Sequence, residues 1–222
     1  SNCKLILAGR DVDDIERTAA DIRIRSDSKV EVVKFDGLYL TTHKDFVSTC
    51  VKKTDGILNI FLAIGLMPPQ TEINNKSPLL KIVIDTNFTG IANLLHEFMH
   101  FFEAQRSGDI LVLGSIAGER GRRGNYVYGA AKSGLQTYLQ GLRARLWING
   151  VTVTTIKLGP IDTMMSYGLH NNLFMAQPLK AAQACVKAAR AKKEVVYYPW
   201  FWRYIMLVIR SIPETLFKRL NI

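Results

Sequence analysis

The chain has 222 residues, room for one domain with a sizeable core, and 48% of them are apolar, which excludes a disordered chain. Its formal net charge of +10 suits nucleic acid, an anionic membrane or anionic small molecules, or serves solubility alone. The basic residues of the body are not interleaved with stacking aromatics, so no nucleic-acid partner is expected. Cys3, Cys50 and Cys185 form no Cys-x-x-Cys pair, so neither a zinc site nor a disulfide framework is indicated, and a reducing, cytoplasmic setting is expected. No secretory leader is read, and the best apolar run, Tyr204 to Ile209, is boxed in by Arg203 and Arg210, well short of the ~20 residues a span needs.

Apolar runs alternate with helical periodicity along the chain. Strands are predicted over Lys4 to Ala8, Lys29 to Phe35, Gly56 to Ala63, Asp109 to Leu113, Val151 to Lys157 and Glu194 to Tyr198. Helices are predicted over Asp13 to Ser26, Thr42 to Lys53, Leu79 to Ala104, Asn125 to Trp147 and Leu179 to Lys192. Strands apolar throughout are buried on both faces, and strand–helix alternation predicts an α/β fold, a doubly wound parallel sheet in three layers. Residues 1–198 read as this domain and residues 199–222 as an aromatic, basic tail. Ligands of such sheets bind beyond the carboxyl ends of the strands.

Chemistry concentrates in Tyr128-Gly129-Ala130-Ala131-Lys132. Side chains at i and i+4 share a helix face, so the ammonium lies beside the phenol and is expected to lower its pKa. A phenol so tuned exchanges protons near neutral pH. Ser115 ends the apolar run Ile110-Leu111-Val112-Leu113-Gly114, where a strand aims a hydroxyl into a crevice. Hydroxyl, phenol and cation together suit holding and protonating a carbonyl. Asn87 is an unfavourable residue for a helix interior, which fits a polar side chain kept for function or a capping Asn at a kink. Tyr126 has Ala130 at its partner position and lacks a cation.

These residues resemble the short-chain dehydrogenase/reductase family. Its Ser, then Tyr-x-x-x-Lys about a dozen residues later, is matched by Ser115, Tyr128 and Lys132, and its catalytic Asn by Asn87 in Asp85-Thr86-Asn87-Phe88-Thr89-Gly90. The family segment that contacts the nicotinamide is matched by Gly159-Pro160-Ile161-Asp162-Thr163. The resemblance runs from about Leu5 to Tyr198 and implies a Rossmann-like fold. It implies that Tyr128 protonates the carbonyl oxygen, Ser115 orients it, Lys132 holds the nicotinamide ribose, and Asn87 holds a water in a proton relay. Arg10, at the family position beside the adenosine ribose, favours the 2′-phosphate of NADP, although Asp11 next to it could bond a hydroxyl instead. Asp36 matches a residue that contacts adenine.

The chain departs from the family in three places. It opens at the family's second strand, so the central first strand and its glycine-rich phosphate turn are missing from it and a gap in the sheet is expected. The family's Asn-Asn-Ala-Gly is Leu62-Ala63-Ile64-Gly65, which leaves Gly65 as the cofactor contact. Leu158 stands where the family has Pro before Gly159.

Two further features bear on substrate. Gly118-Glu119-Arg120-Gly121-Arg122-Arg123-Gly124 presents Arg120, Arg122 and Arg123 on a glycine-punctuated loop, suited to a phosphate group or simply solvated. Pro199 to Ile222 mixes Trp200, Phe201, Trp202 and Tyr204 with Arg203, Arg210, Lys218 and Arg219, suited to a membrane interface or to packing on the body or a sister subunit. Within the family this loop and tail look like the subgroup holding the polyprenyl-phosphoryl 2-keto-pentose reductases of cell-wall arabinan synthesis. The resulting expectation is an NADPH-dependent reductase of a ketone that is anionic or lipid-linked, such as a phosphorylated keto-sugar, located in the cytoplasm or at the inner face of the membrane. Alcohol oxidation by the same site, and a non-catalytic membrane- or protein-binding module, are the alternatives. Its long helices resemble those at the family's dimer interfaces, so a homo-oligomer is expected.

Overall fold

The computed structural model describes residues 4–26, 28–166 and 174–220. Six parallel strands alternate with helices: β1 (Lys4–Gly9), α1 (Val12–Arg25), β2 (Lys29–Lys34), α2 (His43–Lys53), β3 (Ile60–Leu62), α3 (Gln70–Asn75), α4 (Ser77–Ile84), α5 (Gly90–Gln105), β4 (Asp109–Ser115), α6 (Tyr126–Trp147), β5 (Thr152–Leu158), α7 (Pro178–Arg190) and β6 (Val195–Tyr198). Two short helices follow, α8 (Trp202–Ser211) and α9 (Glu214–Phe217). The architecture is the Rossmann-like α/β arrangement, with helices covering parallel strands. No described helix is long and apolar enough to cross a membrane.

The strands form two sheets rather than one. β1 pairs with β2, and β3-β4-β5-β6 form the second sheet in that order. Among the described residues no strand bridges β1 and β3. The smaller sheet joins the body through side chains: Phe35 at the end of β2 packs on Phe46 of α2, ring centroids 4.2 Å apart, within a core that also holds Leu94, Leu95, Phe98 and Phe102 of α5 and Leu135 and Leu139 of α6. Ile6 of β1 packs against the same core.

Two predicted elements come out differently, each for a local reason. The strand expected over Gly56 to Ala63 is confined to Ile60–Leu62. Upstream of it, Leu58 exchanges both backbone groups with the Gln105 side chain, at 2.9 and 3.1 Å, and Asn59 Oδ1 takes the Asp109 amide at 2.8 Å. The single helix expected over Leu79 to Ala104 is interrupted by a π-helical turn at Asp85–Thr89. There the Asn87 side-chain amide donates to the Val83 carbonyl at 2.9 Å, taking an acceptor that a regular turn would use. Sequence periodicity also passed over α3, a polar turn whose buried Gln70 accepts from the Val127 amide at 3.2 Å at the start of α6.

Gly90, just past the π-turn, has ordinary helical φ and ψ, but a Cβ there would run into the Gly37 carbonyl oxygen. Helix propensity alone favours alanine by about 1 kcal/mol. The backbone collision reverses the sign, so Gly90→Ala should destabilise the protein by about 1–3 kcal/mol in urea unfolding. A stabilised variant would show that α5 and the Asp36–Leu38 turn are not in this close contact.

Candidate active site

Ser115 is the last residue of β4, and its Oγ accepts the Ala117 amide at 3.1 Å, turning the chain into a short 3-10 segment, Ile116–Glu119. That segment lies directly on α6. A Cβ on Gly118 would stand 2.8 Å from the Lys132 carbonyl carbon and the Ser133 nitrogen, and one on Gly129 would stand 2.9 Å from the Ala117 oxygen. Gln136, buried one turn past Lys132, donates to the Ser115 carbonyl at 2.6 Å. Two glycines and one glutamine therefore fix the serine against the helix that presents Tyr128 and Lys132.

Tyr128, Lys132 and Ser115 converge. Tyr128 and Lys132 are 7% and 2% exposed, and the ammonium lies over the phenol ring, 5.8 Å from its centroid. Lys132 Nζ donates to the carbonyls of Ile64 and Leu113 at 3.3 and 3.2 Å. The electrostatics differ from the expected acidified phenol. Burial raises the Tyr128 pKa, and the Ser115 side chain, hydrogen-bonded to it, is the influence that lowers it. Burial also brings the Lys132 pKa down to about 8. The cation lies on the face of the ring rather than at its oxygen and is itself poorly solvated, so desolvation outweighs charge attraction.

Asn87 is fully buried beside this group, but its amide is occupied by backbone. Oδ1 accepts from the Leu66 amide at 3.1 Å, and Nδ2 donates to the Leu66 carbonyl at 2.7 Å as well as to Val83. It thereby clamps the loop after β3 and holds Gly65 at the centre of the site. A Cβ on Gly65 would lie 3.4 Å from Asn87 Oδ1, 3.8 Å from Lys132 Nζ and 3.3 Å from the Met165 methyl. The third Lys132 donor and the bare Gly65 backbone form a notch suited to a ligand hydroxyl such as that of a ribose.

The loop after β5 forms the opposite wall. Gly159 donates to the Tyr198 carbonyl at 2.8 Å, Pro160 accepts from Ala176 at 3.1 Å, and Ile161 bridges Ala176. Buried Ser166 organises the turn, with Oγ accepting the Thr163 amide at 3.0 Å and donating to the Ile161 carbonyl at 2.5 Å. Thr163 itself remains exposed. Trp202 of α8 packs on Gly159 so closely that a Cβ there would collide with the indole, whose buried Nε1 has no hydrogen-bond partner among the described residues. At the far end, Arg10 is exposed just beyond β1. Asp11 is committed as the cap of α1, accepting the Asp14 amide at 3.0 Å. Asp36 Oδ1 accepts the Leu38 amide at 3.0 Å.

Most of the arginine loop is turned toward the tail. Arg120 pairs with Glu214 at 2.7 Å and stacks over the Phe217 ring at 4.3 Å, and the Arg122 guanidinium meets the Met206 sulfur at 3.2 Å. Arg123 alone of the three is exposed without a partner among the described residues. The 3%-exposed Glu119 carboxylate binds Lys157 and the Tyr197 hydroxyl, each at 2.5 Å. A tail cluster of Ile116, Met206, Ile209 and Phe217 completes the contact. Gln136 and Ser166 escaped sequence reasoning as site residues, and Trp202 reads from the sequence only as part of the aromatic tail. Only Gln136 left a signal, as a polar residue one helical turn beyond Lys132 on the same face.

Residues 1–173 match the family model described as short chain dehydrogenase. An uncharacterized oxidoreductase of Mycobacterium tuberculosis is 28% identical over 216 residues, covering 97% of this chain and 87% of its own. The 3-oxoacyl-(acyl-carrier-protein) reductase FabG of Chlamydia muridarum is 31% identical over 162 residues, covering 70% of this chain and 62% of its own. Among solved structures, a short-chain dehydrogenase from Sphingobium yanoikuyae in complex with NADPH superposes with a TM-score of 0.80 at 18% identity, covering 95% of this chain and 87% of that one.

The buried lysine makes a signed prediction. Its folded pKa of about 8 lies below the ordinary lysine value of 10.5, so between these values the unfolded chain binds the proton more tightly. Stability must then rise with pH across that window, and the penalty is fully present below about pH 8. Thermal melts of wild type and Lys132→Met from neutral to alkaline pH should converge or cross in favour of wild type as pH rises. A pH-independent difference would show that the ammonium is not desolvated.

Proposed function

This chain belongs to the short chain dehydrogenase family, oxidoreductases that use a nicotinamide cofactor, and on that premise we propose that it reduces a ketone to an alcohol with NADPH. The observation that supports reduction is the raised pKa of Tyr128, buried and hydrogen-bonded to Ser115. A phenol held protonated at neutral pH is ready to donate, whereas alcohol oxidation requires the phenolate. In this reading Ser115 donates a hydrogen bond to the substrate oxygen, and Tyr128 gives it a proton as carbon accepts hydride. Lys132 uses its free donor on the nicotinamide ribose, while Gly65 and the Gly159–Thr163 loop, through Gly159, Pro160, Ile161 and Thr163, flank the ring. The cofactor, when bound, supplies the hydride. Asn87 acts through the Leu66 loop and is a positioning residue, since its side-chain amide is already saturated with backbone partners.

Arg10 at the adenosine end favours the phosphorylated cofactor, because Asp11 is withdrawn as a helix cap while the guanidinium is exposed. Asp36 would contact the adenine. The substrate we favour is an anionic or lipid-linked ketone, a keto-sugar phosphate among them, met at the inner face of the cytoplasmic membrane, with exposed Arg123 as the loop's contact to it. Self-association through α5 and α6 is supported by a surface groove between them lined by Phe88, His96, Met99, Ser133, Thr137 and Arg145.

Three measurements test this reading. Tyr128→Phe should lower kcat by about 10²–10⁴ while NADPH affinity, read by fluorescence titration, stays nearly unchanged. Unaltered turnover would remove the phenol from the mechanism. Reduction should proceed at neutral pH and the reverse oxidation only under alkaline conditions; equal activity at neutral pH would contradict the protonated phenol. Arg10→Ala should raise the KM for NADPH about tenfold and leave that for NADH unchanged, as expected for loss of a charge-assisted hydrogen bond.

A further inference from the structure

Helix α8 is apolar on two opposite faces. Trp202, Ile205, Met206 and Ile209 face the body, where Met206 and Ile209 are buried against Ile116 and Phe217. The other face carries Tyr204, Leu207 and Val208 at the spacing of one helical stripe, 61%, 66% and 63% exposed, and Trp200, two residues before the helix begins, is 71% exposed against Tyr204. A surface helix of a globular protein ordinarily shows water a polar face. Here its charged residues, Arg203 and Arg210, sit on the flank between the two apolar stripes. Exposed Lys218 and Arg219 follow, and the one acid between 199 and 222, Glu214, is already paired with Arg120.

We infer that this outer face of α8 is a docking surface for an anionic lipid bilayer. Two features select that occupant. Trp200 and Tyr204, packed edge to face with centroids 6.0 Å apart, are the side chains that settle at headgroup depth, below which Leu207 and Val208 reach the acyl region. The charges of this segment are cations, with Arg203, Lys218 and Arg219 exposed and Arg210 3.7 Å from the buried Glu119 carboxylate, complementary to anionic headgroups rather than to the mixed charges of a protein partner. The docked face is also joined to the site. Trp202 on the opposite side of the same helix covers Gly159, and its ring and that of Phe201 contact Phe174, at 6.0 and 5.9 Å. The bilayer would therefore lie beside the wall of the crevice where Gly159 sits, and a substrate drawn from it reaches the crevice without crossing water. This last step rests on the reductase reading; the docking itself does not.

The test is sedimentation of the protein with vesicles of phosphatidylcholine alone and of phosphatidylcholine mixed with phosphatidylglycerol. Wild type should bind the mixed vesicles, bind the neutral ones several-fold less, and be released by salt. The double change Leu207→Asp and Val208→Asp should weaken binding by about tenfold or more, as loss of two inserted aliphatic side chains requires. Both residues point to solvent, and unchanged NADPH oxidation with a water-soluble ketone checks that the variant is folded. Absence of binding, equal binding to both vesicles, or a variant that binds as wild type would overturn the inference. So would a variant that turns an oligomer into monomers without affecting vesicle binding, since the face would then join two copies of the chain. A wild type that binds vesicles but oxidises no NADPH would leave the docking standing and sink the reductase reading alone.

Discussion

The site depends on one close approach, that of the backbone after Ser115 to the first two turns of α6. Gly118 and Gly129 leave no side chain between the two segments, and Gln136 ties the Ser115 carbonyl to the helix. β4 fixes where the serine ends, because its register with β5 runs unbroken from Asp109 to Ser115. The helix fixes where Tyr128 and Lys132 begin. With both ends held, the hydroxyl and the phenol share one crevice by construction rather than by side-chain flexibility, as proton transfer demands. A methyl group at either glycine would stand under 3.0 Å from backbone atoms of the other segment, and relieving it by about 0.5 Å would use up the whole distance range a hydrogen bond tolerates.

The same packing makes the centre costly to the fold. Lys132 is an ammonium with backbone carbonyls and, among the described residues, no carboxylate paired with it, and Asn87 interrupts a helix to hold a loop. Neither serves stability in the simplest sense. Each is a polar group retained inside an apolar body, which natural proteins concentrate where chemistry occurs. Burial that penalises the lysine also keeps the tyrosine protonated, so one desolvated environment tunes both partners.

Much of this was legible in the amino-acid order. Apolar runs located all six strands because parallel strands between helices are buried on both sides, and Tyr128-x-x-x-Lys132 with Ser115 marked the site because helical spacing translates directly into adjacency. Other features were hidden for identifiable reasons. The π-turn follows from where the Asn87 amide finds acceptors, Leu66 and Val83, and Leu66 lies 21 residues away. Gln105 replaces a stretch of strand pairing at Leu58 from 47 residues downstream. Arg120 and Arg122 read as free for a ligand because their partners, Glu214, Phe217 and Met206, lie more than 80 residues further on. The expected lowering of the phenol pKa failed because periodicity gives proximity and says nothing of solvent.

The division of the strands into two hydrogen-bonded groups has a consequence for motion. Among the described residues the β1–β2 pair is held to the rest by aromatic packing around Phe35 and by the turn that abuts Gly90. Side-chain contacts of this kind yield locally, before a continuous ladder does. Deuterium should therefore enter the amides of β1 and β2 well ahead of those of β4 and β5. The end of the crevice beside Arg10 then breathes on a faster clock than the end that bears the serine.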